Sequence, residues 1–382
     1  ASVAAIGDLD GDGVNEIAVG VPRDDDGTGD TTRNYGAVEV LFLNTDGTVR
    51  AEQTISPSNG GLGAVLDAGD LFGSSVTGLG DLDGDGIGDL AVGAPGDDDG
   101  DTDRGALYVL LMNADATVRT RQKISDADGG LLAGLANLDR FGTSVAAVGD
   151  LDADGAMDVV VGADGDDDGG IDRGAVYVLF LYPDGRVKAE QKLSATSSGF
   201  DLGLDDEDGF GSSVAGVGDL DGDGVGDVAI GAPGDDDGGT DRGAVFVLFL
   251  DSSGSVLSGQ KQSDTRGGLS TPLADGDRFG SSVAGIGDLD GDGTIGIAVG
   301  VRAADVGGTD RGALFLVDLA PGCVDSDGDG LCDDHEDGDA DLDGNPATSP
   351  GPDSDGDGFA DYLDDDDDDD LSPTADEQAD TN

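Results

Sequence analysis

Residues 210–233 read FGSSVAGVGDLDGDGVGDVAIGAP, and this stretch decides the fold. A segment of Ser, Val, Ala and Gly, residues 212–220, enters a loop of alternating aspartates, and an apolar segment, 227–233, leaves it. Two short apolar runs around a turn-rich centre predict a pair of strands. The core string, Gly-Asp-Leu-Asp-x-Asp-Gly, occurs five times, with its first Asp at Asp8, Asp81, Asp150, Asp219 and Asp288. The spacings are 73, 69, 69 and 69 residues, a period that marks a repeat architecture.

Three more landmarks keep the same period. Phe-Gly-x-Ser-Val begins at Phe72, Phe141, Phe210 and Phe279. Val-Gly-Ala-Pro or a variant follows each aspartate loop. Arg-Gly-Ala then opens an apolar run at Arg104, Arg173, Arg242 and Arg311, with Asn34-Tyr35-Gly36 in the first unit. In the fourth unit these landmarks predict strands at 212–220, 227–233, 243–251 and 256–263. The third is apolar on both faces and is expected to be covered on both sides. The first, built of small residues, suits the crowded inner strand of a radial blade. No segment shows a helical period. Four antiparallel strands per unit with tight turns predict an all-β fold, a β-propeller of four-stranded blades over residues 1–320, with repeats near 1–71, 72–140, 141–209, 210–278 and 279–320. The fifth unit ends after its third strand, so its fourth strand is missing and an edge is left open.

The phrase Phe-Gly…Gly-Ala-Pro with Asp-x-Asp-x-Asp-Gly between resembles the FG-GAP repeat of integrin α-subunit propellers and their bacterial relatives. That family's ring has seven blades and shorter units, whereas five units are visible here. The carboxylates carry their own argument. Positions 1, 3 and 5 converge when the chain turns tightly, Gly at position 6 permits the turn, and a carbonyl at 7 and a carboxylate at 9 complete an all-oxygen shell suited to Ca2+. The candidate ligands are Asp8, Asp10, Asp12, Val14 and Glu16; Asp81, Asp83, Asp85, Ile87 and Asp89; Asp150, Asp152, Asp154, Ala156 and Asp158; and Asp219, Asp221, Asp223, Val225 and Asp227. The fifth loop, Asp288, Asp290, Asp292 and Thr294, has Gly296 at position 9 and is expected to bind more weakly. The resemblance implies the same Ca2+ role for these loops. A second acidic run follows the second strand in units one to four, at 24–26, 97–99, 166–168 and 235–237. It reads equally as a further Ca2+ site or a solvated hairpin tip. The Arg that follows it is expected to pair with these carboxylates.

Residues 321–382 form a second module. From 323 onward it carries 24 Asp plus Glu and no Lys or Arg. Asp325, Asp327, Asp329, Leu331 and Asp333 repeat the loop pattern, as do Asp353, Asp355, Asp357, Phe359 and Asp361, while Asp339, Asp341 and Asp343 lack a position-9 carboxylate. The segment is similar to thrombospondin type 3 repeats, and its order is expected to come from metal ions. Cys323 and Cys332 bracket one loop; a disulfide and two free thiols both remain open. His335 reads as a solvated neighbour.

The whole chain has 382 residues, 84 acidic against 18 basic, for a net charge of −66. Nucleic-acid binding is excluded by that sign, and a membrane span by the lack of any long apolar run. With one His and two Cys, all near residue 330, no Ser-His-Asp set can be assembled. The chain starts at Ala1 without a signal peptide and reads as a processed or excised piece. The expected function is therefore a secreted or cell-surface, calcium-stabilised structural or adhesion protein, not an enzyme. Its partners would be a protein or glycan ligand, or copies of itself joined head to tail through the fifth blade and tail. The alternatives are a lectin-like propeller and the non-catalytic part of a larger extracellular enzyme. The repeated aromatics Tyr108, Tyr177 and Phe246 lie in the apolar third strand and are expected in the core, which speaks against a lectin.

Overall fold

The computed structural model describes residues 2–319 except 27–31, 100, 197–201, 270, 290, 292–293 and 305–310. The 321–382 module, with its three candidate loops, both cysteines and His335, lies outside the described residues. Among the described residues every regular element is a strand, and no helix is long and apolar enough to cross a membrane.

Blade 1 is β1 (Val3–Gly7), β2 (Glu16–Val21), β3 (Ala37–Leu43) and β4 (Val49–Ile55). Blade 2 is β5 (Ser75–Gly80), β6 (Asp89–Ala94), β7 (Ala106–Met112) and β8 (Val118–Ile124). Blade 3 is β9 (Ser144–Gly149), β10 (Asp158–Ala163), β11 (Ala175–Leu181) and β12 (Val187–Ser194). Blade 4 is β13 (Ser213–Gly218), β14 (Asp227–Ala232), β15 (Ala244–Leu250) and β16 (Val256–Gln262). Blade 5 has β17 (Phe279–Gly287), β18 (Gly296–Val301) and β19 (Ala313–Asp318). Each sheet is an antiparallel meander in chain order, four-stranded in blades 1–4 and three-stranded in blade 5. The propeller reading holds: β1, β5, β9, β13 and β17 pack against one another in succession as the inner strands.

The core lies between blades. Four apolar clusters are each built from the facing sides of two consecutive blades. Strands β7, β11 and β15 are buried along their whole length, because each contributes to the cluster on either side. Each motif phenylalanine is fully buried and meets the aromatic of its blade's third strand edge-on. Phe141 and Tyr177, for example, have centroids 5.2 Å apart at 89°. Burial of such a ring contributes about 3 kcal/mol.

The two glycine motifs and the serine form one interblade joint. Phe141 N–H donates to the Arg104 carbonyl of the preceding blade (3.0 Å), and Ser75 Oγ donates to the Gly142 carbonyl (2.9 Å). The same serine bond recurs from Ser144 to Gly211 (2.7 Å) and from Ser213 to Gly280 (2.8 Å). The glycine of Val-Gly-Ala lies against that carbonyl. A Cβ on Gly162 would come within 2.0 Å of the Gly211 oxygen, which explains why this position has no side chain.

Candidate metal centre

The aspartate loop joins the first and second strands of every blade, so the loops occupy the same end of each. In blade 4 the Asp219 carboxylate accepts Gly222 N–H (2.7 Å) and Gly224 N–H (3.0 Å), curling the chain around itself. Asp221 accepts Asp223 N–H (3.1 Å), and Asp223 accepts Val225 N–H (2.7 Å). Gly224, at φ +92°, makes the turn that a side chain would oppose. The bends gather one oxygen each from Asp219, Asp221 and Asp227 within 4.8 Å of one another. Equivalent groups form from Asp8, Asp10 and Glu16, from Asp81, Asp83 and Asp85, and from Asp150, Asp152 and Asp158. In blade 5, Asp288 accepts Gly291 N–H (2.7 Å); Asp290 and Asp292 lie outside the described residues.

The position-9 carboxylate has a second duty that sequence reasoning missed. Asp227 accepts Leu220 N–H (2.8 Å) and Leu250 N–H (3.0 Å), tying the loop to the end of the third strand. Asp89 and Asp158 make the same two bonds. Burial pushes all three up to about 6; the backbone donors oppose that rise and neighbouring loop carboxylates add to it. Glu16 is raised for the same first reason. Gly296 makes no such tie in blade 5, and no signal short of the 23-residue separation between Asp227 and Leu250 would have revealed it.

Several loop oxygens have no hydrogen-bond partner despite being buried: Asp10 Oδ1, Glu16 Oε1, Asp83 Oδ1 and Asp152 Oδ1. Orphaned acceptors of this kind are costly. Converging hard oxygens in an irregular loop fit Ca2+. The residues present therefore suit the ion, with Asp at positions 1, 3 and 5 and the position-9 carboxylate as donors.

In blades 2–4 the second acidic run is bridged by the protein's own lysine. Lys123 Nζ lies 2.7 Å from Asp97 and 2.6 Å from Asp99. Lys192 bridges Asp166 and Asp168, and Lys261 bridges Asp235 and Asp237, in the same way. The expectation for the following arginine needs correction. Arg104 pairs with Asp126 (2.5 Å) and Asn137, Arg173 with Asp206 (3.0 Å), and Arg242 with Asp264 (2.5 Å) and Asp275 (2.9 Å). These partners all lie on the segment that leads to the next blade, so the arginine fastens that connection. The lysine comes from the fourth strand, across the third, and reaches the acidic run first. Beneath it Asp70, Asp139 and Asp208 are buried and pushed up to about 7 by desolvation. In blade 1, Thr54 and Glu39 replace the lysine and the tyrosine, and Thr54 donates to Glu39 (2.8 Å).

Tyr108, Tyr177 and Phe246 are buried, as expected for core residues. Comparison with known proteins agrees with the fold. The FG-GAP repeat family matches residues 72–110 and 210–248. Integrin alpha pat-2 of Caenorhabditis briggsae is 31% identical over 242 residues, 60% of this chain and 17% of that protein. Integrin alpha-5 of Xenopus laevis is 32% identical over 237 residues, 61% of this chain and 20% of that protein. Human integrin alpha-11 is 37% identical over 172 residues, 44% and 13% of the two chains. The chain spans a fifth or less of the length of these relatives. It carries FG-GAP repeats in an integrin-like β-propeller.

Proposed function

We propose that this chain is a calcium-stabilised extracellular or cell-surface scaffold that takes part in adhesion by presenting its loops to a protein or glycan ligand, with no catalytic role. The observation that carries this reading is the convergence of carboxylate oxygens within 4.8 Å in the same loop of four blades. Unpartnered buried oxygens in three of those loops support it. The similarity to integrin α-subunits supports the adhesive role. Each site filled at 100 times its dissociation constant adds about 2.7 kcal/mol to folding. Calorimetric melting with Ca2+ and with excess chelator tests this. The chelated protein should melt far lower, and superimposable curves would refute the calcium reading.

Assembly of copies is the finer part of the proposal. Leu314 and Leu316 of β19 are 67% and 59% exposed, whereas their counterparts Leu107 and Val109 are fully buried under the next blade. Sedimentation of the parent and of Leu314→Lys/Leu316→Lys should show association only in the parent. Equal behaviour of the two would remove this interface.

A further inference from the structure

The fourth strand of blades 1–3 carries a basic residue that faces the aspartate loop. In blade 1 it is Arg50, whose Nη2 lies 2.7 Å from Asp10 and 3.1 Å from Asp12. In blade 2 it is Arg119, paired with Asp83 and, at 3.0 Å, with Asp85. In blade 3 it is Lys188, with Nζ 2.6 Å from Asp152 and 2.5 Å from Asp154. These positions are 69 residues apart, and the next in the series is Leu257, which is 57% exposed. Among the described residues, no basic side chain pairs with Asp219, Asp221, Asp223 or Asp227.

In all three basic blades the side chain binds the carboxylates of positions 3 and 5, which the calcium reading assigns as ligands. It takes one oxygen of the position-3 aspartate, Oδ2, and leaves Oδ1 buried without a hydrogen-bond partner. A cation entering such a loop meets carboxylates already partly neutralised and a like charge one carboxylate away. In blade 4 it meets neither.

We propose that Arg50, Arg119 and Lys188 are built-in competitors for the cation of their own loops, so that the blade 4 loop fills first and releases last. This rests on the calcium reading above. As free Ca2+ falls, blades 1–3 replace the ion with their own cation and keep the loop neutralised, while blade 4 depends on the ion alone. The expected gap is about tenfold in affinity, because exposed ion pairs are individually weak and each basic loop has two of them.

The chain contains no Trp. A single Trp at position 7, excited at the red edge where the five Tyr do not absorb, makes Tb3+ luminescence report one loop, and Ca2+ competition then gives that loop's affinity. Val225→Trp reads blade 4 and Ile87→Trp reads blade 2, both in the full chain. Blade 4 should bind about tenfold more tightly. Adding Arg119→Leu to the Ile87→Trp protein should close the gap, and adding Leu257→Lys to the Val225→Trp protein should abolish its advantage. Equal affinities that neither substitution changes would overturn the competition while leaving calcium binding intact. Absence of any sensitised signal from either loop would overturn the calcium reading itself.

Discussion

Lys192→Met removes the ammonium that holds the second acidic run of blade 3. Lys192 Nζ lies 2.7 Å from Asp166 and 2.8 Å from Asp168, and 5.5 Å above the Tyr177 ring. Burial pulls the lysine pKa down, but the two carboxylates outweigh it and hold it above its ordinary value. At an effective dielectric of about 20, each contact is worth ~6 kcal/mol before desolvation is counted. Desolvation cancels most of that, and breaking a buried pair leaves a net cost of ~3–5 kcal/mol. Asp166 is 3% exposed and loses its counter-charge entirely, whereas Asp168 is 40% exposed and recovers water. The low end applies, so Lys192→Met should cost about 3 kcal/mol. Urea unfolding followed by far-UV circular dichroism, at constant Ca2+, measures it. Lys192→Met with Asp166→Asn should regain more than half of the loss, because the stranded charge is gone. A single variant within ~0.5 kcal/mol of the parent, or a double no better than the single, would refute the argument.

Three further outcomes follow from the same geometry. The folded chain holds protons on Asp70, Asp139 and Asp208 up to about pH 7, while the unfolded chain releases them near the ordinary carboxylate value. Their contribution is thus full below the unfolded pKa and lost as pH rises through about 7, falling by ~2 kcal/mol per group between pH 5.5 and 8; denaturation midpoints across that window should decline, and, since Asp89, Asp158 and Asp227 at about 6 add to the same slope, Asp139→Asn should shallow it by about a quarter. Gly162→Ala forces a methyl against the Gly211 carbonyl at 2.0 Å and should destabilise by more than ~3 kcal/mol, read by thermal melting; a change under ~1 kcal/mol would show that the joint yields. Ala153 holds φ +57° where Gly84 and Gly222 hold +78° and +80°, so Ala153→Gly should stabilise blade 3 by ~0.5–1 kcal/mol in urea titrations, and a loss would contradict the strain.

The strands were legible because each is bracketed by glycine-rich turns at a fixed period; the fourth-unit expectations 212–220, 227–233, 243–251 and 256–263 fall within two residues of β13 to β16 at every end. The gathering of the loop aspartates was legible because positions 1, 3 and 5 lie in one local turn. The lysine bridges were not. Lys123 and Asp97 are 26 residues apart, and residues 118–124 read only as a half-exposed strand, VRTRQKI. What brings them together is β7 lying between β6 and β8, a register that no local pattern announces. The same applies to Asp227, whose hold on Leu250 depends on strand pairing and not on loop chemistry.

The joint at each blade boundary also sets how the molecule would bear load. The chain enters a blade at its phenylalanine, whose backbone pairs in parallel with the glycine of the blade before, as at Gly105 and Phe141 or Gly174 and Phe210. Tension along the chain therefore pulls on that short parallel bridge and on the serine bond beside it before it reaches any sheet. Once a bridge parts, the apolar cluster shared across it opens, and the neighbouring blade loses one of its two packed faces and becomes the next to unravel. Each rupture frees 69 residues of chain, about 240 Å when drawn out at ~3.5 Å per residue. Stretched between two surfaces, the propeller would lengthen in steps of that size, one blade yielding at a time.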